Sequence, residues 1–88
     1  MTATASTQGP LPGAYPNLTV WVTPVWDAGT PYSQSAFEAC LNLVNGDLST
    51  PADTIQIVNG IYGFSVEPAE ADDAVTAFNN ILLSCLEP

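Results

Sequence analysis

The residues able to do chemistry in this chain are of few kinds. Its 88 residues include nine aspartates and glutamates, three tyrosines and two cysteines, and no histidine, lysine or arginine. General acid–base work is left to carboxylates, phenols and thiols. Cys40 and Cys85 each fall on the apolar stripe of an expected helix. With no cation to lower its pKa, a cysteine there is expected to pack as a small hydrophobe. Two cysteines do not define a disulfide framework, and a bridge between them is the alternative. The acidic run Glu67, Glu70, Asp72 and Asp73 offers a carboxylate pair, a cation site or a contact for a basic partner. Asp72 and Asp73 point about 100° apart on a helix, so they do not converge. Glu70 and Asp73, three apart, share a face. The expected role of the run is to complement the positive end of a helix. Calcium-loop alternation, zinc-ligand spacing and phosphate-cradling glycine loops are absent from the sequence. No enzymatic activity, metal or cofactor is expected.

The charge balance also restricts partners. A net charge of −9 without a single side-chain cation argues against nucleic acid, whose affinity comes largely from cations that neutralise phosphates. It argues equally against anionic membrane. A basic protein surface, or a neutral one met through apolar contacts, remains. The first ten residues, MTATASTQGP, have neither the basic nor the apolar region of a secretory leader. No run of eighteen apolar residues suggests a membrane span. The expectation is synthesis and folding in a reducing cytoplasm, with the virion as the destination under the viral-particle reading.

The elements that must position these groups read as follows. Residues 1–17 carry Gly9, Pro10, Pro12, Gly13 and Pro16 and are expected to form an extended arm. Residues 18–88 are expected to form one small domain. Leu18–Val22 alternates as a strand, with Leu18, Val20 and Val22 on one face and Trp21 on the other. Ser35 to Glu38 has the spacing of a capping box, followed by a stripe of Phe37, Cys40, Leu41 and Val44. Gly46 suits the left-handed position past the helix end. In TIQIVNGIYGFSV (residues 54–66), Asn59-Gly60 sets a two-residue hairpin turn. Its register opposes Val58 to Ile61, Ile57 to Tyr62 and Ile55 to Phe64. A last helix begins near Pro68 and buries Ala71, Ala74, Val75, Phe78, Ile81, Leu82 and Cys85.

The order β-α-β-β-α predicts an α+β fold: three strands with two helices on one face. That is a ferredoxin-like arrangement lacking its final strand, with the first strand parallel to the second strand of the hairpin. An all-α three-helix domain competes, because Thr50-Pro51-Ala52-Asp53 also resembles a helix start and Gly60 a helix end. The sheet would have two edges and one uncovered face, on which Trp21 would stand open. Tyr15, Trp21, Trp26, Tyr32, Glu67, Glu70 and Asp73 are the candidate partner-binding residues. The expected function is a non-enzymatic accessory protein that docks onto a larger assembly through its arm and an apolar patch. A decoration or cement protein of a viral particle is one example, alone or as an oligomer. The alternative is an acidic inhibitor that binds a basic, nucleic-acid-binding site on another protein. A carbohydrate or small-ligand site at the tryptophans is weaker still, and no small-molecule substrate is expected.

Overall fold

The computed structural model describes residues 2–9, 17–26, 29, 34–48, 51, 52 and 55–80. The elements are β1 (Thr2–Ser6), β2 (Leu18–Val25), α1 (Gln34–Gly46), β3 (Ile55–Val58), β4 (Ile61–Val66), a 3-10 turn (Pro68–Glu70) and α2 (Ala71–Asn79). The strands form one antiparallel sheet in the order β1-β2-β4-β3. The fold is thus α+β, with four strands rather than three, and the all-helical alternative is excluded.

The additional strand comes from the stretch expected to be an arm. Thr2–Ser6 pairs with β2, from Thr2 opposite Val25 to Ser6 opposite Trp21. Its Thr-Ala alternation is a strand pattern in which alanine is the apolar residue. Ala5 is buried and Ala3 packs against the core, whereas Thr4 is exposed. β1 takes the place of the missing last strand of the ferredoxin-like order, supplied from the opposite end of the chain.

The relation of β2 to the hairpin also differs from expectation. β2 runs antiparallel to β4, with Val20 opposite Phe64 and Val22 opposite Tyr62. The crossover through α1 makes β2 parallel to the next strand in sequence, β3. The hairpin then reverses the chain, and β4 inserts between them. The hairpin register itself is as the Asn-Gly turn requires: Ile55–Phe64, Ile57–Tyr62 and Val58–Ile61 are paired. Asn59 and Gly60 have φ of 51° and 79°, both in the left-handed region a two-residue turn demands.

One sheet face carries the core. Ala5, Val20, Val22, Tyr62, Phe64 and Val66 meet Phe37, Cys40, Leu41 and Val44 of α1 and Ala71, Ala74 and Phe78 of α2. Phe64 and Phe78 stack with centroids 4.5 Å apart. Cys40 packs in this core as expected. It is also disulfide-bonded, the alternative to simple packing that the sequence leaves open. The one other cysteine in the sequence, Cys85, lies outside the described residues, as do Ile81 and Leu82.

Two asparagines replace missing backbone partners. The Asn79 amide accepts from Ala5 N–H at 2.8 Å and donates to Ala5 C=O at 3.4 Å. It thereby covers part of the outer edge of β1. Asn45, buried at the end of α1, does the same for Ala52: it accepts from the N–H at 2.9 Å and donates to the C=O at 3.1 Å. Gly46 does not take the left-handed conformation; it is the last residue of α1, and Asp47 N–H bonds back to Leu43 and Val44 carbonyls.

Candidate functional site

The edge formed by β3 contrasts with that formed by β1. In a hairpin closed by two residues, the pair flanking the turn exchanges both hydrogen bonds, and the next pair exchanges none. Val58–Ile61 is the flanking pair. The N–H and C=O of Ile57, and again of Ile55, therefore point away from β4, out of the sheet. Among the described residues no strand pairs with them. The side chains of the same two residues lie on the core side of the sheet, in register with buried Tyr62 and Phe64, yet Ile55 is 40% and Ile57 60% exposed. Strand alternation sends them to the helical face, but α1 does not extend over them. Between α1 and β3 runs a groove of about 210 Å³, lined by Glu38, Leu41, Asn42, Ile55, Ile57, Tyr62 and Phe64.

Its polar wall is organised by Tyr62. The phenol donates to Glu38 Oε1 at 2.8 Å, and Gln34 Nε2 stands 3.3 Å from both that oxygen and the phenol oxygen. Burial pushes the Tyr62 phenol above its ordinary value, the Glu38 carboxylate adds to the rise, and the Gln34 hydrogen bond opposes it. Phe37 packs edge-on against Tyr62, and Trp26 edge-on against Phe37, at 5.7 and 5.6 Å between centroids. Among the described residues Glu38 makes no capping hydrogen bond to its own helix; its Oε1 is taken by Tyr62 and Gln34. α1 starts at Gln34, so Ser35 lies inside the helix rather than at its cap.

The sequence candidates are dispersed. Trp21 lies on the face opposite the helices, as alternation requires, but is only 2% exposed. Its ring sits over Gly63, where a Cβ would stand 2.6 Å from Cζ3, and under Gly9, where a Cβ would overlap the indole. The chain just after β1 covers it. Trp26 is 42% exposed at the end of β2. Glu67, Asp72 and Asp73 are exposed and Glu70 half-buried, all following the end of β4 that lies beside Leu18. Eight residues of β2 separate that end from Trp26, roughly 26 Å of strand, so the acids and the tryptophan form no common site. Tyr15 and Tyr32 lie outside the described residues.

The hairpin register pairs Ile55 with Phe64 and Ile57 with Tyr62, but none of these residues, nor Glu38, is among the sequence candidates for a site. A signal was available for β3: an edge segment, IQIV, with no charge, proline or bulge to discourage pairing. Among the described residues no helix is long and apolar enough to cross a membrane, and no three metal-ligating side chains converge. Set against family models, curated proteins and solved structures, the chain matches none, and the candidate site rests on its geometry.

Proposed function

We propose that this chain is a non-enzymatic accessory protein that docks onto a larger assembly, such as a viral particle, through the β3 edge and its groove. The observation that carries the reading is the combination at Ile55 and Ile57: outward-facing backbone groups and exposed isoleucine side chains on one short strand. An exposed edge with those properties is a template for pairing with another chain. This reading assigns docking to the apolar patch, because β1 pairs with the chain's own sheet and Gly9 lies against Trp21.

Affinity purification of the intact protein from its native source, at low and at moderate salt, tests this. Ile57→Asp is expected to lose the partner at both salt concentrations while circular dichroism stays unchanged, because an exposed position tolerates the substitution in the free protein. A partner retained by Ile57→Asp but lost at moderate salt would favour the acidic-inhibitor reading instead, since screened surface charge would then carry the binding.

A further inference from the structure

We infer that the occupant of the β3 edge is an extended segment of a partner protein that carries a lysine or arginine among its apolar residues and adds to the sheet as a fifth strand. The inference rests on the docking reading above and names its partner class.

Three observations lead to it. The backbone groups of Ile55 and Ile57 that face outward are the kind a strand satisfies, and the edge is only four residues long, about 13 Å. Such a site suits a peptide strand. The two edges of the sheet are also treated differently. At β1, Asn79 satisfies Ala5; at β3 no described side chain does so, and the side chains there are isoleucine, glutamine and valine. Finally, the groove has a definite charge. Every second residue of an added strand would face inward beside Ile55 and Ile57, toward the groove whose opposite wall, on α1, holds Glu38. That carboxylate is positioned by the Tyr62 phenol, and the chain contains no side-chain cation to neutralise it. A carboxylate accepts at about four lone-pair positions, so capacity remains for an incoming ammonium or guanidinium. A second copy of this chain fits less well. Pairing β3 with its own copy would bring two Glu38 carboxylates, and two chains of net charge −9, toward one seam.

The test uses the intact, isotope-labelled protein and a nine-residue acetylated and amidated peptide that alternates valine and threonine, its central valine replaced by lysine. Two control peptides carry glutamate in place of that lysine, or methylated amides along the pairing edge. The lysine peptide is expected to give saturable amide shifts confined to Ile55–Val58 and to the stretch around Glu38 and Asn42. The glutamate peptide should bind at least tenfold more weakly, and the methylated peptide should not bind. Glu38→Gln keeps an acceptor for Tyr62 and should abolish the preference for lysine over glutamate without altering the spectrum elsewhere. The inference is overturned if no saturable shifts occur, if both charged peptides bind alike, or if sedimentation shows a dimer that Ile57→Asp dissolves. Loss of the native partner in Ile57→Asp, together with no lysine preference, would retire the basic strand and leave the docking reading standing.

Discussion

At the scale of single residues, two side chains connect the core to the candidate site. Tyr62 is buried on the sheet and spends its hydroxyl on Glu38 in the groove wall. Hydrogen bonds to charged groups contribute more than neutral ones. Tyr62→Phe should therefore cost about 1–2 kcal/mol, read from urea unfolding at neutral pH. The same substitution changes the alkaline limit. Below the unfolded tyrosine value of about 10, both states keep the proton and the contribution of Tyr62 is intact. As pH rises past that value the unfolded chain releases its proton first, because the folded phenol is raised, and stability falls until the folded value is passed. The wild type should show this fall above about pH 10 more steeply than Tyr62→Phe. Trp21 depends on the two glycines against its ring. Gly63→Ala intrudes on the indole and should destabilise by about 1–3 kcal/mol, in the range of overpacked cores. Tryptophan emission should shift to longer wavelength as the ring is displaced. An unshifted spectrum would mean that the ring is not held between Gly9 and Gly63.

At the scale of elements, the two sheet edges show what side chains do for backbone. Asn79 reproduces the donor–acceptor pair of a neighbouring strand for Ala5. Asn79→Ala should cost about 1 kcal/mol and speed hydrogen exchange at the Ala5 amide, leaving the amides shared by β2 and β4 protected. Much of this level was legible in the residues. Asn59-Gly60 sets the hairpin and its register because only a few residues reach positive φ cheaply. The aliphatic face of Leu18–Val22 followed from alternation. β1 was not legible as a strand, since alanine and threonine in TATAS carry little burial signal by themselves. The roles of Asn45 and Asn79 depend on contacts to Ala52 and to a residue 74 positions away, and nothing local announces them. Trp21 was assigned to the correct face but expected to be open. Alternation gives a side chain's direction, not what lies above it. The same gap hid the site: pattern places Ile57 on the helical face, and only the position of α1 shows that the helix leaves it exposed.

At the scale of the whole molecule, a small sheet has its edges and faces satisfied unevenly. β1 and the residues after it cover the far face over Trp21, Asn79 covers part of one edge, and the Cys40 disulfide adds a covalent tie to the core. Among the described residues, the β3 edge with its groove is left without such cover, on a chain whose charged side chains are all acidic. Binding is predicted to happen there. Hydrogen exchange, measured by mass spectrometry on the intact protein free and bound to its purified partner, tests it most directly. Slower exchange on binding should be concentrated at Ile55 and Ile57, whose outward-facing amides gain a strand, and not at Gln56 and Val58, which already bond to β4. Unchanged exchange at Ile55–Val58, with protection gained at Glu67–Asp73 instead, would contradict it.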